Sequence, residues 1–422
     1  MRFNPERLTG IALLLALAPL VSATTRYVNG VNGSDSNNCL SITTACKTIG
    51  HAISLAASGD TVLIAAATYT ENLTIGKSLK LIGSGASIID GGNGSTVVTV
   101  SSTIAHVILS NLTIRNGQAS TVLFIGFRDR ALAGGGISNS GTLTLTNSIV
   151  SGNWAPIPCI QSFLFCQLRF GTALGGGIYN SGALIIISSI ISGNHAGSYC
   201  NANPCSAFGG GIYNAGTLMT IKNSTLTGNS VSTACSTSLS CRVGVGGAFY
   251  TVGTVTLNNS TVTGSTAYRC SGVCDGMGGA IVNGSGNLAL NNSTVGGNPA
   301  GGIVNAATST LQNSLIANNS GANCGGAITS HGYNLSSDNT CKFNGPGDMN
   351  NINPLLGTLA NNGGPTPTIA LLEGSPAIDA GNHAGCTDGS GHLLTTDQRG
   401  QPRPDKEDTV GCDIGAYEKQ SD

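Results

Sequence analysis

Charge is scarce in this chain. Only 9% of its 422 residues are Asp, Glu, Lys or Arg, and their signs nearly cancel, to −1. An ordinary globular chain carries about 25%. The balance leaves no basic footprint for nucleic acid or for an anionic membrane surface, so neither is expected as a partner. Acids are scarcest in the middle, where Asp129 and Asp275 are the only two between Gly91 and Ser337. Glycoside hydrolysis needs a pair of carboxylates, and calcium-assisted elimination needs several around the ion. Both are therefore excluded from that stretch. A metal-free lyase using Arg128 or Arg130 beside Asp129 is the enzymatic alternative that survives. Aromatic residues make up 5%, with one tryptophan. No apolar run is long enough to span a bilayer, so no transmembrane segment is expected in the mature chain.

What is abundant is glycine, at 62 residues, and cysteine, at 14. The N-terminus reads as a secretory signal over 1–23: Arg2 and Arg7, the apolar core IALLLALAPLV, then the small-residue site Val21-Ser22-Ala23. The cysteines agree with export. They fall into close pairs: Cys39 with Cys46, Cys159 with Cys166, Cys200 with Cys205, Cys235 with Cys241, and Cys270 with Cys274. Cys324 with Cys341 and Cys386 with Cys412 complete an even set. Their gaps vary and no histidine stands at ligand spacing, so local disulfides in an oxidising compartment are expected rather than zinc.

The words GGGISNSGTLTLTNSIVSGN (134–153), GGGIYNSGALIIISSIISGN (175–194) and GGGIYNAGTLMTIKNSTLTGN (209–229) repeat one pattern. Its columns are a glycine (Gly134, Gly175, Gly209, Gly246, Gly278), an asparagine (Asn139, Asn180, Asn214, Asn283, Asn305), a polar pair such as Asn147-Ser148, and a closing asparagine (Asn153, Asn194, Asn229, Asn298, Asn318). Between columns the apolar residues alternate, as Leu143 and Leu145 do in TLTLTNS, which predicts short strands. One unit cannot bury its apolar face alone, and stacking does so. The expected fold is all-β: a right-handed parallel β-helix, a solenoid of about nine coils, with asparagine side chains forming ladders. Residues 47–60 have apolar residues at helical spacing (Ile49, Ala52, Ile53, Ala56) and read as a helix capping the open end. A strand, not a helix, follows the triple glycine, and no lysine does, so it is no phosphate loop and no cofactor is expected. The domains expected are 24–70 as the N-terminal cap, 71–345 as the β-helix with disulfide-bearing loops, and 346–422 as a loop-rich C-terminal domain.

The extra residues between coils leave at one corner, after the closing asparagine, and predict a row of loops along one edge. They carry Phe124, Phe127, Arg128, Asp129, Arg130, Trp154, Phe163, Phe165, Arg169, Phe170, Tyr199, Phe208, Tyr268 and Arg269. Phe127, Arg128, Trp154, Phe163, Phe165, Arg169, Tyr199, Tyr268 and Arg269 are the candidate ligand-binding set, a platform for sugars or a partner protein. The alternative is that the rings form the loops' own small cores. His106 and His195 have no evident acid or thiol partner and read as hydrogen-bonded or solvated. Near the C-terminus Asp397, Arg399 and Arg403 are placed to pair with Asp413 and Glu418. The acidic run 405–413 reads as an exposed loop, with calcium as the alternative, so no metal site is assigned.

RYVNGVNGSDSNNC and KTIGHAISLAASGDTVLIAAATYTENLTIGKSLKLIGSG resemble the opening of exported bacterial right-handed β-helix proteins of the pectin-lyase-like superfamily. GGGIYNSG and GGAIVNG are similar to the repeats of polymorphic outer-membrane proteins. NPLLGTLANNGGPTPTIALLEGSPAIDAG, DQRGQPRP and CDIGAYE resemble the choice-of-anchor Q domain. The resemblance implies a cell-surface or secreted protein, with no catalytic residues to carry over. The expectation is a monomeric, non-catalytic protein that binds a glycan or surface partner through its loop edge, with a passive structural spacer as a further alternative.

Overall fold

The structure is a computed structural model that describes residues 23–124, 129–156, 161–162, 165–166, 170–200, 205–235, 244–268, 278–405 and 411–420. The segment expected as a signal lies outside them, except for Ala23. The chain winds as a right-handed parallel β-helix with three faces. One face is a sheet of nine short parallel strands, from Leu73–Ile75 through Ile137–Asn139, Ile178–Asn180, Ile212–Asn214 and Phe249–Thr251 to Cys324–Gly325. The other two faces belong to one 19-stranded sheet, because the early strands Leu79–Asp90 and His106–Arg115 run round the corner between them. Later coils break there into two strands, such as Thr142–Thr146 and Ile149–Ser151.

Register explains the core. Leu143 lies on Leu184, Leu184 on Met219 and Met219 on Val255, all fully buried. Parallel stacking puts like on like, so one aliphatic column per inward position fills the interior. The break between two faces occurs at the first residue of the polar pair. Asn147, Ser188, Asn223, Asn259, Asn292 and Asn313 all have φ between 46° and 52°. Asparagine tolerates this left-handed backbone better than most L-residues. The second residue of the pair forms a ladder: the Ser148 N–H donates to Ser189 Oγ, Ser189 to Ser224, and Ser224 to Ser260.

The asparagine ladders form as expected, with one correction. Asn139 Nδ2 donates to Asn180 Oδ1 at 2.6 Å, and Asn180 Nδ2 to Asn214 Oδ1 at 2.7 Å. In the closing column Asn153 donates to Asn194 and Asn194 to Asn229, each at 2.9 Å. The column continues from Asn298 to Asn319, not to Asn318. Asn318 takes a left-handed φ of 56° and is exposed, which rotates its successor into the ladder.

At the N-terminal end the helix Ile49–Leu55 covers the core with Ile49, Ala52 and Ile53. Thr48 caps it, and Glu71 accepts from the N–H groups of Ile49 and Gly50. The strands Thr25–Val28 and Thr61–Thr70 extend the large sheet over this end. No helix among the described residues is long and apolar enough to cross a membrane, which leaves strands unaddressed.

The C-terminal segment returns along the helix and covers one face from the Thr225 coil onward. Thr225 donates to the Pro367 carbonyl, Asn259 to that of Thr396, and Asn292 to that of Thr387. Leu315, Leu335, Leu371, Ala377 and Ile414 close a second core beneath it. Two buried ion pairs lock it. Arg399 Nε pairs with Asp397 and Arg403 Nε with Glu418, each at 2.7 Å. Arg403 also donates to Asn259 of the coils. Asp413 joins neither pair directly. It accepts from the N–H groups of Asp379 and Lys419, and burial beside Glu418 pushes its carboxyl from 3.8 up to about 7. Disulfides join Cys39–Cys46, Cys324–Cys341 and Cys386–Cys412. Of the other expected pairs, Cys159, Cys241, Cys270 and Cys274 lie outside the described residues. Cys166, Cys200, Cys205 and Cys235 are placed only as strand backbone.

Asn194→Ala removes a buried amide that is hydrogen-bonded to Asn153, Val150 and Asn229, and should lower stability by about 3 kcal/mol in chemical denaturation. Asn318→Gly, outside the ladder, should stay within about 0.5 kcal/mol. Asp413 holds its proton more tightly folded than unfolded, so the native state carries the extra proton between pH 4 and 7. Its contribution should therefore fall as pH rises through that window. The urea midpoint should decline from pH 4.5 to 7.5, and Asp413→Asn should flatten the decline.

Candidate functional site

The excursions that the sequence places at one corner are not independent loops. They leave the coil after the closing asparagine and stack into two further sheets, parallel except for one edge strand, Thr121–Phe124, which runs antiparallel to Asp129–Ala133. One contains Trp154–Ala155, His195–Cys200, Ser230–Cys235 and Thr266–Tyr268. The other contains Thr121–Phe124, Asp129–Ala133, Phe170–Leu174, Cys205–Phe208 and Gly244–Val245. Together they make a fin. Small side chains pack between the sheets: Ala119, Ala155, Ala173, Ala196, Ala207 and Val231, with Leu132 against them. The triple glycine is the seam where the fin rejoins the coil. Gly175 has φ 64°, and a Cβ there would lie 2.0 Å from the Ile178 carbonyl oxygen. Close approach of backbones, not a ligand, explains it.

One outer face of the fin carries Trp154, 39% exposed. Its indole Nε1 donates to the Gly197 carbonyl at 2.8 Å, which ties the ring to the next strand. Trp154 pairs in register with His195, and His195 with Ser230. Both imidazole nitrogens of His195 are engaged, Nδ1 with Ser230 Oγ at 2.9 Å and Nε2 with Ser232 Oγ at 3.1 Å. Burial holds its pKa below the ordinary histidine value, against the hydrogen bond to Ser230. No carboxylate approaches His195 in any hydrogen bond among the described residues, so His195, Ser230 and Ser232 form a neutral polar cluster rather than a charge-assisted triad. Ser232 in turn pairs in register with Tyr268, whose backbone alone is described.

The opposite side of the fin meets the nine-stranded face in a corner lined by rings. Tyr179 and Tyr213 stack with centroids 5.7 Å apart at 6°, and Tyr213 and Tyr250 at 5.5 Å and 11°. Phe208 lies 4.9 Å from Tyr250 and 6.3 Å from Tyr213. Ala131, Ala133 and Leu174 of the fin pack with Tyr179, Tyr213, Phe208 and Leu123. Burial, with the neighbouring Tyr250 and Tyr179, pushes the Tyr213 phenol up to about 12.

Of the residues expected to bind ligand, Trp154 is placed with its surroundings. Phe165, Tyr199 and Tyr268 are placed as strand backbone, the last two in the same sheet as Trp154. Phe127, Arg128, Phe163, Arg169 and Arg269 lie outside the described residues. Asp129 and Arg130 lie on one fin strand, in register with Phe170 and Gly171. The tyrosine ladder was not among the expected residues. Its signal was present: the tyrosine of IYN in two coils and of FYT in a third occupies the outward position between two buried neighbours.

No family model matches the chain, and no curated relative matches it. Among solved structures the chain is similar to a pectate lyase, 13% identical over 94% of this chain and 98% of that one, TM-score 0.40. It is also similar to a pectin methylesterase mutant in complex with a hexasaccharide, 16% identical over 68% and 80%, TM-score 0.32. A lacto-N-biosidase from Eubacterium ramulus is 9% identical over 74% and 68%, TM-score 0.32. Likeness at this level bears on neither activity nor ligand.

Because the fold disfavours protonation of His195, the imidazole stays neutral to a lower pH in the folded chain than in the unfolded one. Stability from this group should be full above about pH 6.5 and lost as the pH falls below it. His195→Gln should remove that acid-side loss in thermal melts from pH 7 to 5.

Proposed function

We propose that this chain is an exported surface or secreted β-helix protein that binds a glycan through its fin. The observation that carries the reading is the half-exposed Trp154 indole, fixed by its own hydrogen bond, beside the His195, Ser230 and Ser232 side chains. An indole face stacks on the apolar face of a sugar ring, while neighbouring hydroxyls and imidazole exchange hydrogen bonds with its hydroxyls. The fin core of alanines and the parallel ladder hold these groups on strands rather than on free loops, so little ordering entropy is lost on binding. Export is supported by the disulfides, which persist in oxidising compartments. The tail's resemblance to the choice-of-anchor Q domain, and that of the coil words to polymorphic outer-membrane repeats, support placement at a cell surface.

Trp154 is the only tryptophan, so its fluorescence reports this site alone. Titration with a panel of plant, algal and bacterial polysaccharides should shift that emission for at least one member, and Ser232→Ala should weaken the response about 5-fold to 10-fold. No shift with any polysaccharide would overturn the reading. Release of unsaturated sugar ends in the same incubations, lost on Arg128→Ala or Arg130→Ala, would make the protein a lyase instead.

A further inference from the structure

We propose that Ser232 is a nucleophile, activated by His195, that accepts the acyl group of small carboxylic esters. This activity goes beyond glycan binding and needs no glycan to be tested. Both imidazole nitrogens of His195 meet a serine hydroxyl, Nδ1 that of Ser230 at 2.9 Å and Nε2 that of Ser232 at 3.1 Å. A neutral imidazole has one N–H and one lone pair. In either tautomer, therefore, one serine accepts from the ring and the other donates its O–H to it. The donating serine and the ring make the nucleophile–base pair of serine catalysis, and the accepting serine orients the ring as the third member. Burial lowers the pKa of this ring, and a main-chain hydrogen bond at Ser230 opposes the shift, as an accepting carbonyl does. That carbonyl puts the proton on Nδ1 and leaves the Nε2 lone pair to the Ser232 hydroxyl.

The surroundings suit an ester that arrives from solvent. His195, Ser230 and Ser232 are half-buried on the outer face of the fin, not in its alanine core. Ser232 pairs in register with Gly197 of the preceding coil, where no side chain stands. Trp154 reaches that position from one coil further back, since its indole nitrogen donates to the Gly197 carbonyl. A partly exposed ring therefore borders the space that Gly197 leaves, and offers a small acyl group an apolar surface. The chemistry balances in two steps. Ser232 Oγ bonds the ester carbonyl carbon and gives its proton to Nε2. The bond to the alkoxy oxygen then breaks, and Nε2 returns the proton to the departing alcohol. Water attacks the acyl-serine next, passes its proton through Nε2, releases the carboxylic acid and restores the hydroxyl. An alcohol leaves more readily than an amine, so esters and not amides are the substrate class. A serine behind the imidazole stabilises the imidazolium less than a carboxylate does. Acylation is therefore slow, and the covalent adduct is a better readout than turnover.

The test is incubation of the full chain with p-nitrophenyl acetate, followed by intact mass and peptide mapping. A single acetyl group should appear on Ser232 and decline once the ester is removed, as water resolves the adduct. His195→Gln should slow this labelling about 100-fold, the usual order for loss of a general base. Ser230→Ala should slow it about 10-fold, and Ser230→Thr, which keeps the hydroxyl, should restore it. The Ala and Thr pair keeps the test decisive should His195→Gln disturb the sheet. Labelling of Ser232 should be level above about pH 6.5 and fall below it, as the ring protonates. Adventitious acylation of lysine instead climbs towards a pKa of about 10.4. Acetyl on lysines alone, an adduct on Ser230 in place of Ser232, or Ser232 labelling undiminished in both His195→Gln and Ser230→Ala would overturn the proposal. A shift of Trp154 emission by polysaccharide with no Ser232 adduct would overturn the nucleophile and leave the glycan site standing. An adduct with no such shift would support the nucleophile and overturn the glycan site.

Discussion

The whole structure depends on the need to satisfy buried amides in register. Most of the central coils turn inward asparagines whose amides are buried, and these are satisfied chiefly by the equivalent residue one coil away and by main-chain carbonyls. Asn194 shows the arrangement. It donates to Asn229 and to the Val150 carbonyl and accepts from Asn153. A slip of one residue would leave these groups unpaired in a low-dielectric interior, at a cost of several kcal/mol per coil. The aliphatic columns alone tolerate some register error, because leucine packs on isoleucine or methionine with little penalty. The amide ladders do not, and so they define where each strand begins and each corner falls.

Once register is fixed, the fin follows. Segments of unequal length leave successive coils at the same point and return at the same point. Neighbouring excursions therefore start and end one coil apart, which is the geometry of parallel strand pairing. Alanines between the two sheets let them approach closely, and the glycines at the return let the backbone cross the seam. The fin thus inherits its order from the coil beneath it, and positions Trp154, His195, Ser230 and Ser232 by the same spacing that stacks the ladder. The C-terminal segment depends on the same regularity. It reads Thr225, Thr261 and Thr294, one outward position in three coils, through Pro367, Gln398 and Ala416. Its buried ion pairs hold the segment to itself and, through Arg403 and Asn259, to the coils.

The parallel β-helix, its nine-stranded face, the capping helix at Ile49–Leu55 and two of the asparagine columns were legible because each repeats a simple rule several times. The end of the closing column was misread at Asn318, where adjacent asparagines give two candidates and only the corner geometry chooses Asn319. The expected ion pairs near the C-terminus were right for Arg403 with Glu418. Arg399 instead takes the buried carboxylate of Asp397, two residues away, with its guanidinium lying over the Tyr417 ring. At the site, Trp154 could be singled out as a lone indole in an excursion. Its partners could not, since His195 and two ordinary serines acquire meaning only when three segments whose contacts span 35 to 43 residues lie side by side.

By itself, then, the sequence determined what is periodic: strand period, corner residues, the interior columns and the stacking of one coil on the next. These depend on local alternation and on residues that tolerate a left-handed backbone, both written directly in the chain. The tertiary structure alone decided what is formed between coils. Turning loops into a two-sheet fin, choosing which face of a tyrosine meets solvent, and folding the tail along the coils are all non-local pairings, and no local pattern in one segment specifies its partner in another.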